Sequence, residues 1–321
     1  MKKLRWIRFA SIGFCLSIAL ALADGAHPSA SAQQDSDQPP SDNPQCTDEN
    51  LQGRYGYTMS GWLVGLVPVV GLVPAAAVGV LTFDGEGILN AQDTSNNNGA
   101  LSSRAGAGIY GVNANCTGSA TVAGGFAGLT FDFMIIPGTH GSEFSLIVTN
   151  SGTVETGVGQ RIPDEQCTAA TVQGTYRLAA NGYLLGTGSG PTASVGIRIV
   201  DGAGNLSGDD TVSTNGMIQP RVVTATYAVN LDCTGTQTWT DGQTFNWVIV
   251  AGGTQVFFIR TDHAAIKVAS GTYKKQSGSD VEDSSHTTPD TDVSADDDSD
   301  QEHVMKAKVY SGRALFRSDA G

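Results

Sequence analysis

The phrase Tyr110-Gly-Val-Asn-Ala-Asn-Cys-Thr-Gly118 returns later in the chain as Tyr227-Ala-Val-Asn-Leu-Asp-Cys-Thr-Gly235. Tyrosine, valine, asparagine and the closing Cys-Thr-Gly keep the same spacing in both places, at an offset of 117 residues. A match of this length at a fixed offset indicates that a longer unit has been duplicated.

Matching residues continue outward from the phrase in both directions. Before it, Asp84-Gly85 corresponds to Asp201-Gly202 at the same offset. After it, Phe131-Asp-Phe133 corresponds to Phe245-Asn-Trp247, and both copies begin with Cys-Thr followed by Gly-x-Tyr. The chain therefore contains two tandem copies of one unit.

Each copy has the pattern of short strands separated by turns. Phe245, Trp247 and Ile249 alternate with residues of the opposite face, and this period of two is typical of a strand with one buried side. The Asp-Gly pairs predict hairpin turns. With about eight strands per copy, we predict an all-β fold of two tandem antiparallel up-and-down β-barrels, which leaves no open sheet edge. A β-sandwich is the alternative.

The domain boundaries follow from the two copies and from the composition outside them. From Asp280 to Glu302 the chain has ten carboxylates and no Lys or Arg, so this segment cannot bury enough apolar surface to fold. The predicted segments are a signal peptide at 1–32, a disordered linker at 33–45, a first barrel at 46–162, a linker at 163–166, a second barrel at 167–276 and a disordered acidic tail at 277–321.

The N-terminus has the pattern of a Sec-type signal peptide. Four basic residues within the first eight positions precede an apolar run from Phe9 to Ala23, which is short for a membrane span. Cleavage sites with small residues end at Ala23 and at Ala32. We expect a secreted or periplasmic protein with no transmembrane span in the mature chain. An uncleaved membrane anchor is the alternative.

Removal of the signal leaves four cysteines, one early and one late in each copy. An even number in an exported chain indicates disulfides, of which three pairings are possible. The duplication favours Cys46–Cys116 and Cys167–Cys233. A metal or redox site is disfavoured because no Cys-x-x-Cys occurs.

Charge and motifs exclude several function classes. The formal net charge of −13 argues against a nucleic-acid partner. No Gly-x-Ser-x-Gly elbow, Walker loop or His-Glu-x-x-His occurs, and the two histidines of the copies, His140 and His263, do not correspond and are interpreted as surface residues. We predict a protein that is not an enzyme, with no catalytic residue, no metal site and no cofactor.

One stretch breaks the symmetry between the copies. Residues 55–83 contain no charge and are apolar enough for a membrane helix, but Pro68, Pro74 and several glycines oppose a helix. The matched segment at 186–191 is polar. We interpret the stretch as an apolar loop packed on the barrel or on the other domain. The alternative is a lid that contacts lipid or admits an apolar ligand.

Aromatic residues on the repeated strands are the candidates for a binding site. An eight-stranded barrel is either filled by its own side chains or holds one small ligand. The candidates for the barrel interior or for ligand contact are Tyr55, Trp62, Tyr110, Phe131, Phe133, Tyr176, Tyr183, Tyr227, Phe245 and Trp247.

The motifs Leu-Gln-Gly-x-Tyr at 51–55, Phe-Asp-Gly-x-Gly at 83–87 and Tyr-x-Val-Asn-x-x-Cys-Thr-Gly at 110–118 resemble a repeat of exported bacterial proteins of unknown function. The resemblance covers residues 46–276 in two copies. It implies export and a small β-barrel, with no established activity.

A second resemblance is to the lipocalin and calycin barrels. Gly53-Arg-Tyr55 and Gly174-Thr-Tyr176 are similar to their first-strand Gly-x-Trp, with Tyr in place of Trp. Thr261-Asp262 is similar to their Thr-Asp-Tyr, with His in place of Tyr. Lys274 or Lys275 stands where those barrels place a basic residue over the first-strand aromatic ring.

The sequence favours one function, given first here, over two alternatives. The first is binding of a small apolar ligand or lipid by the tandem barrels. The second is a structural or surface-interaction module with no ligand, in which the acidic tail maintains solubility or meets a cationic partner. The third is a barrel-type cyclase or isomerase, which would need a polar residue deep inside a barrel.

Overall fold

The computed structural model describes residues 45–65, 71–262 and 267–276. The predicted signal peptide, nearly all of the polar linker and the acidic tail lie outside the described residues, and so does His263.

The described residues form two closed antiparallel barrels of eight strands, as predicted. Each strand pairs with its neighbours in the chain, and the last strand of each barrel pairs with the first. The strands of the first barrel are β1 Gly53–Val64, β2 Leu72–Phe83, β3 Ile88–Asn97, β4 Ala100–Val112, β5 Thr117–Val122, β6 Leu129–Ile135, β7 Glu143–Val148 and β8 Thr153–Arg161. Those of the second are β9 Gly174–Leu184, β10 Gly190–Val200, β11 Asn205–Thr214, β12 Met217–Val229, β13 Thr234–Trp239, β14 Thr244–Val250, β15 Gln255–Arg260 and β16 Lys267–Lys275.

The helical segments in the described residues are short 3₁₀ turns. They are Asp48–Leu51, Gly124–Phe126, Ala169–Val172 and Ala251–Gly253. In this part of the chain no helix has the length and apolar character that crossing a membrane requires.

The predicted Asp-Gly turns are present between β2 and β3 and between β10 and β11. Asp84 Oδ1 accepts hydrogen bonds from the backbone N–H groups of Glu86 at 2.7 Å and Ile88 at 2.9 Å. Asp201 makes the equivalent pair of bonds in the second copy. The aspartate thus closes the turn by binding its own backbone, which is the common role of Asp at this position.

The repeated phrase contains the end of a strand, a turn and one half of a disulfide. Cys46 is bonded to Cys116 and Cys167 to Cys233, which are the two bonds that the duplication favours. Each late cysteine has a positive φ in the turn after the strand, 67° at Cys116 and 65° at Cys233. Because such bonds persist in oxidising compartments, they indicate an extracytoplasmic protein.

The interpretation of residues 55–83 as a loop is wrong, because most of this stretch forms β1 and β2. Its hydrophobicity does not alternate because β2 is buried on both faces. Ala75 and Ala77 face the interior of the first barrel, whereas Ala76 and Val78 pack into the hydrophobic cluster of the second. The alternative of contact with the other domain was therefore correct for β2, in the form of a strand.

The two barrels meet through the outer faces of β1 and β2 on one side and of β14, β15 and β16 on the other. The two barrels approach each other closely at Gly56. A Cβ atom at this position would lie 2.4 Å from Val250 and 2.5 Å from Val248. A side chain at position 56 would therefore force these valines, or the barrels themselves, to shift.

Polar contacts border this apolar contact. Asn246 Nδ2 donates to Thr94 Oγ1 at 2.8 Å, and Arg54 Nη2 donates to the carbonyl oxygen of Asp232 at 2.7 Å. Ile162, the last residue of the predicted first barrel, is buried in the hydrophobic cluster of the second barrel. This residue and the strand faces thus join the two barrels.

Candidate functional site

Eight of the ten candidate aromatic residues are buried inside a barrel. In the first barrel the ring of Tyr55 lies 5.5 Å from Phe83, in an edge-to-face contact. In the second, the rings of Tyr227 and Trp247 stack with their centroids 5.5 Å apart. The inward candidates are Tyr55, Tyr110, Phe131, Phe133, Tyr176, Tyr227, Phe245 and Trp247.

These side chains leave little free volume. The cavity beside Phe131 in the first barrel measures about 10 Å³, and the one beside Phe245 in the second about 40 Å³. A water molecule needs roughly 10–15 Å³ of such volume. The first cavity is therefore the size of one water molecule and the second that of a few.

The interior placement of Trp62 and Tyr183 is wrong. Tyr55 and Tyr176 face inward, and each of these two residues lies an odd number of positions further along its strand, so it faces outward. Their rings contact each other edge to face, with centroids 5.3 Å apart. They thus belong to the contact between the barrels.

A basic side chain lies over the first-strand tyrosine of each barrel. Lys275 Nζ is 5.9 Å from the centre of the Tyr176 ring, and Arg161 Cζ is 5.8 Å from that of Tyr55. The glycine two residues before each tyrosine leaves the room, because a Cβ at Gly53 or Gly174 would lie 2.6 Å from the basic side chain. The prediction for Lys275 is confirmed.

Each barrel contains a buried aspartate bound by a partly exposed arginine, and the residue pattern did not predict these pairs. Arg104 binds Asp93 through Nε and Nη2, at 2.9 and 2.5 Å. Arg221 binds Asp210 in the same bidentate way, at 2.8 Å twice. The signal was present, because the offset of 117 residues that relates the repeated phrase also relates both members of these pairs.

In the first barrel the pair is completed by a tyrosine and a second carboxylate. Tyr57 donates a hydrogen bond of 2.5 Å to Asp93, and burial followed by this carboxylate raises the pKa of Tyr57 well above its usual value. Burial also raises the pKa of Glu155. Tyr57 thus keeps its hydroxyl proton. Both oxygens of Asp93 accept hydrogen bonds, which come from the side chains of Tyr57 and Arg104.

In the second barrel an additional arginine takes the place of the tyrosine. Arg198 Nη2 donates to Asp210 Oδ2 at 2.6 Å, and both side chains are fully buried. Burial acts to raise the pKa of Asp210, but the hydrogen bonds and charges of Arg221 and Arg198 outweigh it and hold this pKa below its usual value. Asp210 is therefore ionised between two cations.

The mouth of the second barrel has an excess of positive charge, because Lys267, Arg198, Arg221 and Arg260 outnumber Asp210 and Asp262, and Asp262 pairs with Arg260 at 2.6 Å. Lys267 lies beside the 40 Å³ cavity with Arg221 and Arg260, and its Nζ donates to Thr192 Oγ1 at 3.1 Å. Burial first, and then the charges of Arg260 and Arg221, lower the pKa of Lys267 to about 8. Convergent cations above aromatic side chains can bind a small anion.

Replacing Lys267 by methionine should stabilise the protein at pH 7 by on the order of 1 kcal/mol, after allowance for partial exposure and for the lost bond to Thr192. Because the pKa is lowered in the folded state, the unfolded chain binds more protons between pH 8 and 10.5, so the wild-type stability rises across this range. The difference in unfolding free energy between Lys267→Met and the wild type should therefore shrink as the pH rises. Urea unfolding at pH 7 and pH 10 measures it, and exposed Lys274→Met is the control.

An open cleft of about 700 Å³ separates the barrels beside their direct contact. Its walls are outer strand faces that carry short polar side chains such as Gln92, Thr94 and Asn230. The cleft offers hydrogen bonds to a polar ligand beside apolar groups such as Val78 and Val80.

No protein-family model and no curated protein matches the chain. Among solved structures, the isotype 1 transferrin-binding protein B from serogroup B Neisseria meningitidis aligns at 6% identity and a TM-score of 0.30, over 70% of this chain and 75% of that one. A putative AttH from Nitrosomonas europaea aligns at 9% identity and a TM-score of 0.26, over 70% and 92%. A protein of unknown function from Nostoc punctiforme aligns at 8% and 0.22, over 72% and 100%. The barrel fold rests on its own strand pairing, and these similarities add nothing about function.

Proposed function

We propose that the protein is an extracytoplasmic interaction module whose barrels are rigid scaffolds and whose binding surfaces lie outside the barrels. Export by the predicted signal peptide would make it secreted or periplasmic. The proposed function involves no catalysis. In support, the carboxylate oxygens of Asp93 and Asp210 accept hydrogen bonds from neighbouring side chains, so neither carboxylate is free to act as a base.

The observation that carries the proposal is the contrast between filled interiors and apolar outer strands. Val195, Ile197 and Ile199 project from the outer face of β10 and are 63%, 45% and 53% exposed. An exposed aliphatic row on a strand marks a contact surface more often than a defect, because isolated exposed side chains need no explanation but contiguous ones do.

Native mass spectrometry of the purified mature protein should show the polypeptide mass without a bound lipid. In parallel, a hydrophobic dye at low protein concentration should bind the wild type and bind the Val195→Thr/Ile197→Thr variant at least about twofold more weakly, because about 25 cal/mol is lost for each Å² of apolar surface removed. Ile109→Thr on β4 is the control, because the exposed Ile109 has a single exposed large aliphatic neighbour, Ile88 of β3, and does not belong to a row along its own strand. One bound lipid per chain would contradict the proposal. So would equal binding of the dye by the wild type and by the Val195→Thr/Ile197→Thr variant.

The second candidate function is binding of a small anion, including the headgroup of an apolar ligand, at the mouth of the second barrel. It is favoured by the cation excess at Lys267, Arg221 and Arg260 over the rings of Trp239 and Phe245. An anion that is retained in native mass spectrometry and lost from Lys267→Met would support it over the first proposal.

A further inference from the structure

We infer that the chain associates head to tail with further copies of itself, through the outer face of β9 and β10 in one copy and that of β6, β7 and β8 in the next. This inference rests on the proposed function, since it names the partner of the outer surface. It follows from comparing what each barrel covers inside the chain with what its duplicate leaves open.

The first barrel contributes what we call the donor face, the outer side of β1 and β2. Ala76 and Val78 of this face are buried against the second barrel. At the offset of 117 residues, their counterparts in the second barrel are Ala193 and Val195, which are exposed on β10. Ile197, the counterpart of the partly covered Val80, is exposed as well. The chain therefore has a second donor face that is open along β10 in the described residues, whereas Tyr183 near the end of β9 already contacts Trp62 of the first barrel.

The second barrel contributes the acceptor face, the outer side of β14, β15 and β16. Val248, Ile259 and Val268 of this face are buried against the first barrel. Their counterparts in the first barrel are exposed although they remain aliphatic. These counterparts are Met134 at 47%, Ile147 at 50% and Val154 at 59% exposure.

One open donor face and one open acceptor face on the same chain are heterologous surfaces. If the contact inside the chain is repeated between chains, each copy within the assembly buries its open donor face and its open acceptor face. The copies at the two ends of a linear assembly each keep one face open. Such contacts form rings when the rotation closes and filaments when it does not. A dimer in which both chains use the same face does not follow from this arrangement.

Charge and polar pairing fit the repeated contact. The hydrogen bond between Thr94 and Asn246 has its counterpart in Thr211 and the exposed Asp132, a hydroxyl that can donate to a carboxylate. Arg177 replaces Gly56 on the open donor face. In a repeated contact it would therefore face the strand that carries Asp132 on the second copy.

Arg177 also sets the strength of the contact. At Gly56 the barrels touch without an intervening side chain, and an arginine at the equivalent position prevents the same close approach. The contact between chains is therefore looser than the contact within the chain. We expect reversible association that depends on protein concentration.

Sedimentation or light scattering of the full mature chain tests this inference. The average mass should rise with concentration to at least about twice that of one chain. Ile197→Asp, which blocks the donor face, and Ile147→Asp, which blocks the acceptor face, should each leave a single chain. Mixing these two variants should give one-to-one dimers and nothing larger, because one intact face of each kind remains. Ile109→Asp on β4 should behave as the wild type.

Two results would overturn the inference. One is a wild type that stays at the mass of one chain at every concentration while the dye still responds to the β10 substitutions, in which case the proposed function stands without this partner. The other is a blocked variant that still dimerises alone, because that requires two identical faces in contact. Failure of the dye response itself would count against the proposed function instead.

Discussion

Replacing Asp210 by asparagine should lower the unfolding free energy by about 3–5 kcal/mol. The carboxylate neutralises Arg198, whose side chain is fully buried and has no route to water. The amide leaves this cation uncompensated inside the barrel. Urea unfolding followed by tryptophan fluorescence measures the loss, because Trp239 lies within 5.5 Å of the Arg198 guanidinium carbon.

The neighbouring residue provides a matched control. Asp209→Asn makes the same chemical change on the exposed face of β11 and should fall within about 0.5 kcal/mol of the wild type. Adding Arg198→Met to Asp210→Asn should recover part of the loss, because it removes the unpaired charge. An Asp210→Asn protein as stable as the Asp209→Asn protein would show that the barrel supplies another counter-charge.

The same pair predicts how the loss depends on pH. Since the pKa of Asp210 is lowered in the folded protein, its contribution is present above the unfolded value near 3.9 and disappears as pH falls through the folded value. The gap between wild type and Asp210→Asn should therefore close in acid. Asp93→Asn should cost less at neutral pH, because the side chain of Arg104 is 17% exposed and can reach water.

Removing the Cys167–Cys233 bond by a double Cys→Ser substitution should cost about 4 kcal/mol, because the bond closes a long loop in the unfolded chain. The sequence separations of the two bonds are 66 and 70 residues, so the Cys46/Cys116 double variant should lose nearly the same amount. Guanidinium unfolding measures both losses. A double variant with an unchanged midpoint would mean that the unfolded chain is already compact.

The bonds should differ in the rate at which a reductant reaches them. Cys167 and Cys233 are buried, whereas Cys46 and Cys116 are partly exposed. Mild reduction of the folded protein should therefore open the first barrel's bond before the second's. Mass spectrometry after alkylation gives the order, and simultaneous labelling of all four thiols would contradict it.

The alternation of residues was sufficient to predict most strands and the inward rings, and the count of about eight strands per copy predicted their closure into barrels. It failed for Trp62 and Tyr183 because their aromatic character suggested the interior, although their positions relative to Tyr55 and Tyr176 already placed them outside. What no local pattern contains is that a second barrel covers them.

The buried aspartates were not predicted for a different reason. Asp93 and Asp210 lie in strands where a charged residue is expected to face water, and only the repeat offset marks them as equivalent. Likewise, the unbroken apolar run of β2 could not be recognised as a strand, because alternation disappears when both faces are buried. The covering partner is the other barrel, which the sequence of β2 does not contain.

Gly56 bears on the ancestry of the chain. An ancestral protein with one barrel would have carried both a donor face and an acceptor face, and both would have been available to other copies of that protein. Fusion of two such units would satisfy one face of each kind within a single polypeptide. The two copies now differ at this position: Gly56 permits the close contact within the chain, whereas Arg177 would loosen the contact that we propose between chains.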